Sequence, residues 1–171
     1  MIIGGQAVLL YGEPRLTKDI DITLGIDVDR LGELLAIVKE LSLTPLPEDI
    51  PSFVQKTMVL PVLDKSTGIR VDFIFSFTTY ESQAIGRAKK IILSGQEVCF
   101  AAPEDLILHK MFAGRPRDLE DVSTVILKNP GIDISYIRRW LKEFDTAVQG
   151  KGFLEAFERI LFSSAQEPKN R

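Results

Sequence analysis

The residues of this chain best suited to chemistry are acids in apolar company. Residues 17–22 read TKDIDI, so Asp19 and Asp21 stand one residue apart in a run that alternates polar and apolar. In a strand this alternation sends both carboxylates to one face, with Cα atoms about 6.5–7 Å apart, and sends Ile20 and Ile22 to the other. Two anions on one face repel unless water screens them or a cation joins them, and at the rim of a cleft a divalent ion is the natural answer. A third acid, Asp72, interrupts IRVDFIF, where Val71, Phe73, Ile74 and Phe75 are apolar and a carboxylate wants a partner. If the two strands are neighbours, three carboxylates converge, a set of hard oxygen donors suited to Mg2+ and to the phosphates it carries. Two such ions about 3.5–4 Å apart could activate an attacking oxygen and stabilise a leaving one. The same residues also fit a solvated acidic edge strand and a hydrogen-bonded core carboxylate.

A glycine pair completes the pattern. Gly4-Gly5 follows Ile2-Ile3 and opens a segment of helical composition, QAVLLYG. Backbone N–H groups at such a turn can approach and cradle a phosphate. The spacer from Gln6 to Lys18 then leads into the Asp-Ile-Asp strand. The leading strand is short for stable pairing, and the expectation is that its true start, or a helix before it, lies upstream of Met1.

The elements that must position these residues can be read from periodicity. Residues 27–43 carry Leu31, Leu34, Leu35, Val38 and Leu41 at helical spacing, with acids in the first turn. Pro45, Pro47 and Pro51 break regular structure after it. MVLPVL and IRVDFIFSF flank the turn-like DKSTG, TYESQAIGRAK reads as a helix, and KKIILSGQEVCFAA reads as a hairpin turning at Ser94-Gly95. Four or five strands are expected. From Pro103 onward only helical patterns follow: PEDLILHKMFAG, RDLEDVSTVILKN, ISYIRRWLKEFDTAV and GFLEAFERILFSSA, with a polar, frayed tail in SAQEPKNR. On the second of these helices Leu119, Val122 and Ile126 are the expected buried stripe. The fold class is therefore α/β (α+β), a mixed sheet with helices packed on it over residues 1–102 and a C-terminal helical region over residues 103–171.

Composition bounds the rest. The chain has 171 residues, 45% hydrophobic and 26% charged, with a formal net charge of −3, so it lacks a general basic surface for nucleic acid. The single Cys99 and single His109 provide neither an internal disulfide nor a zinc ligand set. His109 reads as an ordinary polar position, and Cys99 as a small core residue. No apolar run reaches the ~18–20 residues of a membrane span, so a cytoplasmic protein with no membrane partner is expected.

With Ile3-Gly4-Gly5, Asp19-Ile20-Asp21-Ile22 and Val71-Asp72-Phe73 in order, the sequence resembles the nucleotidyltransferase superfamily that includes DNA polymerase beta, kanamycin nucleotidyltransferase and the minimal nucleotidyltransferases. More narrowly, GGQAVLLYGEPRLTKDIDITL is similar to the AbiEii-type branch, a Gly-Gly-x-Ala helix followed by Arg-x-Thr-x-Asp-x-Asp, here with Arg15 and Thr17. PEDLILHKMFAGRPRDLEDV resembles that branch's later segment, with Lys110, Arg115, Arg117, Asp118 and Asp121.

The resemblance implies transfer of a nucleoside monophosphate from an NTP to an acceptor, with pyrophosphate released and Mg2+ required. It implies that Asp19 and Asp21, with Asp72, hold metal, that Asp72 helps deprotonate the acceptor, and that Gly4 and Gly5 receive the triphosphate. Lys110, Arg15 and Lys18 are its candidate phosphate neutralisers, with Arg117 and Asp118 also at the nucleotide. The implied acceptor is an RNA such as a tRNA end, or a protein hydroxyl, in a toxin with a cognate antitoxin protein. A small-molecule, antibiotic-modifying enzyme and a catalytically silent binding module fit the same residues. Lys110 also reads as a snorkelling lysine, and Arg117, Asp118 and Asp121 as an ion-pair network.

Overall fold

A computed structural model of the chain describes residues 1–76 and 78–166. It divides into two compact units: Met1–Gln6 with Leu16–Ala101, and Ala7–Arg15 with the chain from Ala102 onward. The helix α1 (Gly4–Tyr11) contributes residues to both.

The first unit is built on a seven-stranded mixed sheet. Its strands are β1 (Ile2–Ile3), β2 (Asp19–Thr23), β3 (Thr44–Pro45), β4 (Val59–Asp64), β5 (Ile69–Ile74), β6 (Lys89–Leu93) and β7 (Gln96–Phe100), in the spatial order β3-β4-β5-β2-β1-β7-β6. The sheet has two or three more strands than the four or five expected, and β1 and β3 among them are two-residue strands carried by their neighbours. β1 pairs with β2 (Ile2 opposite Ile22, Ile3 opposite Asp21) and with β7, so even a two-residue strand is bonded on both sides.

The pairing that matters most is between β2 and β5, which run parallel with Asp21 opposite Asp72 and Ile22 opposite Phe73. β4 then pairs antiparallel to β5, setting Leu60 opposite Phe73 and Val62 opposite Val71. Strand alternation does the rest. Leu60, Val62 and Phe73 join Phe75, Leu34 and Val38 of α2 (Leu31–Glu40) and Val54 of α3 (Ile50–Thr57) in one core cluster, against which Ile22 and Val71 pack. The acids are left on the opposite face.

Several local expectations are corrected. The proline-rich stretch after residue 44 is irregular only over residues 46–49: Asp49 caps α3 by accepting from the Ser52 N–H at 3.1 Å, and Pro51 sits in the first turn, where its missing N–H costs nothing. The helix expected over residues 27–43 opens with a 3-10 turn at Val28–Arg30 and ends before Ser42, whose φ is 57°. Leu41 is exposed rather than part of the buried stripe. Of the strand expected over 69–77, Phe77 lies outside the described residues. The helix α4 (Thr79–Gly86) opens with a capping box of Thr78 and Glu81.

The second unit is helical: α5 (Pro103–Ala113), α6 (Pro116–Lys128), α7 (Ile134–Ala147) and α8 (Phe153–Gln166), with the last residues of α1. Asp133 caps α7 through the Tyr136 N–H, and Asp145 of α7 accepts from the N–H groups of Phe153 and Leu154 that open α8. The tail expected to fray lies outside the described residues from residue 167; Ser164, before it, is buried and bonded to Ser123.

The buried face of α6 is rotated from the expected one. It carries Asp118, Asp121, Val122 and Val125, while Leu119 and Ile126 are only half-buried. A helix turns two acids inward only if cations meet them there. Lys110, 5% exposed, does so: its Nζ lies 2.7 Å from Asp118 and 2.9 Å from Asp121. It is therefore a buried lysine rather than a snorkelling one.

Candidate metal centre

Each of the three acids reaches its place through a local rule. β2 alternates, so Asp19 and Asp21 share a face, and the parallel register sets Asp72 beside Asp21. One carboxylate oxygen from each of Asp19, Asp21 and Asp72 lies within 4.8 Å of the others, and all three residues are half-buried. Thr17 Oγ1 donates to Asp19 Oδ1 at 3.2 Å, orienting the carboxylate that stands nearest the loop. Gln6 Nε2 donates to the Asp19 carbonyl at 3.4 Å.

Gly4 is part of the same construction. Its φ is +62°, and a Cβ placed on it would fall 1.9 Å from Asp21 Oδ2. The glycine thus does two things a larger residue cannot: it adopts a left-handed backbone conformation, and it clears the volume into which Asp21 projects. Gly5 is buried behind it.

Arg70 was not among the residues singled out from the sequence. Its guanidinium grips Asp72 with two bonds, Nε to Oδ1 at 2.7 Å and Nη2 to Oδ2 at 2.9 Å. The hydrogen bond to Asp72, then the charges of Asp72, Asp19 and Asp21, outweigh partial burial and raise the guanidinium above its usual pKa. The available signal was the Arg-x-Asp spacing: in a strand, residues two apart share a face.

The remaining expected site residues are distributed otherwise. Lys18 and Arg117 are exposed. Within the second unit, Arg15 binds Asp121 through two bonds of 3.1 and 3.0 Å, and Arg115 donates to Asp118 at 2.6 Å. Burial pushes the Asp118 carboxyl up, but the hydrogen bonds and charges of Arg115 and Lys110 prevail and hold it below its ordinary value. His109, expected to be an ordinary polar position, is half-buried, and burial of its ring lowers its pKa to about 4. Cys99 is half-buried on β7 rather than in the core.

The donor set suits a hard divalent cation. Three anionic oxygens converge without any nitrogen or sulfur donor, the composition preferred by Mg2+. The backbone clearance at Gly4 keeps Asp21 in that group.

Comparison with known proteins decides the family. The family model described as "Nucleotidyltransferase of unknown function" (DUF6036) matches residues 1–157. The chain belongs to this nucleotidyltransferase family. Its carboxylate cluster therefore stands in a chain of a nucleotidyltransferase family, whose description leaves the acceptor open.

The nucleotidyltransferase fold recurs among solved structures. The chain is similar to the solution structure of the antibiotic-resistance factor ANT(2'')-Ia, with a TM-score of 0.54 and 19% identity over 85% of this chain and 81% of that one. A lincomycin-bound crystal structure of the lincosamide antibiotic adenylyltransferase LnuA has a TM-score of 0.48 and 14% identity, over 72% and 83%. An antigenic nucleotidyltransferase-like protein from Paracoccidioides brasiliensis has a TM-score of 0.48 and 16% identity, over 92% and 83%. At 19% identity the likeness to ANT(2'')-Ia concerns fold alone. No curated protein matches the sequence. Among the described residues, no helix is long and apolar enough to cross a membrane.

Proposed function

We propose that this protein transfers a nucleoside monophosphate from an NTP to a hydroxyl acceptor. The observation that carries the reading is the meeting of Asp19, Asp21 and Asp72 within 4.8 Å in a chain of a nucleotidyltransferase family. In the reaction, the acceptor oxygen forms a bond to the α-phosphorus and the bond from that phosphorus to the β-phosphate oxygen breaks. Pyrophosphate leaves, and the acceptor proton passes to Asp72. Asp19, Asp21 and Asp72 would hold Mg2+, which supplies charge neutralisation for the triphosphate. Gly4 lies against Asp21 and opens a helix with Gly5, which supports a role for the pair in receiving the phosphates. Lys18, exposed and next to Asp19 in the chain, is placed to meet the triphosphate. Lys110, Asp118 and Asp121 act as a buried brace of the helical unit in this reading, with Arg15 and the exposed Arg115 at its edge.

For the acceptor, the likeness of the Gly-Gly-x-Ala and Arg-x-Thr-x-Asp-x-Asp segments to the AbiEii branch favours RNA or a protein hydroxyl, and with it a toxin paired with an antitoxin protein. The assay therefore supplies labelled NTPs and Mg2+ with total tRNA, cell extract and, separately, aminoglycosides. Label transfer that disappears in Asp21→Asn is the expected result, and the acceptor that becomes labelled fixes the class. No transfer to any of them sinks the catalytic reading.

One observation favours a second reading, a nucleotide-binding module without turnover: both oxygens of Asp72 accept from Arg70. Such a module binds ATP in calorimetry yet labels nothing, and any measurable transfer excludes it.

A further inference from the structure

The carboxylate face contains its own cation. Arg70 precedes Asp72 by two residues on β5, so both side chains leave the same face of the strand, and the β2–β5 register places Asp19 opposite Arg70. The guanidinium takes one lone pair on each oxygen of Asp72 in a fork geometry, the strongest form of a charge-assisted bond. Asp72 is 15% exposed and Arg70 is 49% exposed, so the acid is fixed in the sheet while the arginine has solvent to move into. A divalent ion bonded to Asp72 would stand within a few ångströms of that guanidinium, where like charges repel strongly.

Resting on the reading of Asp19, Asp21 and Asp72 as metal ligands, the geometry points to Arg70 as a resident counter-cation. It offsets one of the three negative charges when no divalent ion is bound and competes with that ion for Asp72. Release requires only a rotation of one half-exposed side chain, with no change in the backbone of β5. The arrangement reduces the repulsion among the three acids when no metal is bound, without abolishing it. Arg70 is therefore a positioning residue, acting through Asp72.

The test is calorimetric titration of the full chain with Mn2+ at constant pH, alongside melting curves. Arg70→Gln removes the charge and the fork. It is expected to bind Mn2+ about fivefold or more tightly than the parent, since the ion no longer displaces a charged hydrogen bond. It is also expected to melt lower in chelator and to recover with Mn2+. A merely structural arginine would lower the melting point without tightening the ion. Arg70→Lys, which keeps a charge but not the fork, should fall between the two and serves if the glutamine variant does not fold. Equal or weaker Mn2+ binding in the Arg70 variants, while Asp21→Asn loses the ion, overturns the competition. Mn2+ binding that survives Asp21→Asn instead overturns the assignment of the three acids themselves.

Discussion

The backbone of Gly4 and the carboxylate of Asp21 occupy one shared space: a Cβ on Gly4 would lie 1.9 Å from Asp21 Oδ2. The chain reaches that proximity because Ile3 pairs opposite Asp21, so the next residue turns directly over the acid. The first glycine of the pair is thus as much a requirement of the acid as of any phosphate.

Gly4→Ala should expose that requirement. The substitution meets a left-handed backbone and a side-chain clash together, and a cost of about 2–4 kcal/mol is expected. Gly68→Ala is the matched control, because its φ is +73° but nothing lies within 4 Å of its added Cβ. That control should lose only about 1 kcal/mol. Chemical denaturation of both variants, with Mn2+ titration of each, separates the effects. Equal losses in the two variants, with Mn2+ affinity retained by Gly4→Ala, would show that Asp21 does not depend on the glycine.

The buried brace makes a second prediction. Lys110 is the shared cation of Asp118 and Asp121, and each acid has one further arginine. Lys110→Met leaves two buried carboxylates short of charge and should cost about 3–5 kcal/mol. Arg115, 75% exposed, is a weaker partner, so Arg115→Ala should cost less than about 1 kcal/mol. Adding Asp118→Asn to Lys110→Met should recover part of the loss. If urea midpoints put the two single variants within error of each other, the brace does not act as described.

The division between what the sequence disclosed and what it hid follows the range of the forces involved. The hairpin at Ser94-Gly95 was legible because both residues take positive φ, 50° and 80°, and a two-residue turn of that kind needs glycine. The acid face was legible because strand alternation is a local rule, and Asp21 beside Asp72 needed only the correct strand neighbours. The inward turn of Asp118 and Asp121 was not legible. Apolar periodicity alone favours Leu119 and Ile126, and a lysine eight residues before Asp118 decides otherwise. Arg70 escaped for the opposite reason: its partner was close in sequence, but a strand-face ion pair has no apolar pattern to announce it. The helix at Ile50–Thr57 was hidden by its prolines, which mark its beginning rather than prevent it.

The only histidine sets a pH dependence. Unfolded, His109 takes up a proton near its ordinary 6.5; folded, burial lowers that value to about 4. Between those values the unfolded chain holds more protons, so stability must fall as the pH drops through the window. Some exposure of the residue moderates the effect, and a loss of about 1–2 kcal/mol between pH 6.5 and 4 is expected. His109→Gln should remove this portion of the slope and leave the carboxylate titrations at lower pH. Parallel stability profiles for the two proteins across the window would refute the assignment.

Asp19 tests the metal site through stability rather than turnover. Three carboxylates within 4.8 Å repel one another, and Asp19→Asn removes one charge while its amide oxygen can still accept from Thr17. In chelator the variant should therefore be as stable as the parent or more so, by about 0.5–1 kcal/mol given the partial exposure of the group. Excess Mn2+ should reverse the order. An ion that binds only the folded protein stabilises it by about 2.7 kcal/mol at a hundred times its Kd, and the variant lacks one ligand for it. The crossing of the two melting temperatures between chelator and Mn2+ is the diagnostic result. It distinguishes an acid kept for a cation from one that braces the fold, since the latter would destabilise the protein in both buffers when changed. Equal stabilisation of parent and variant by Mn2+ would place the ion away from Asp19.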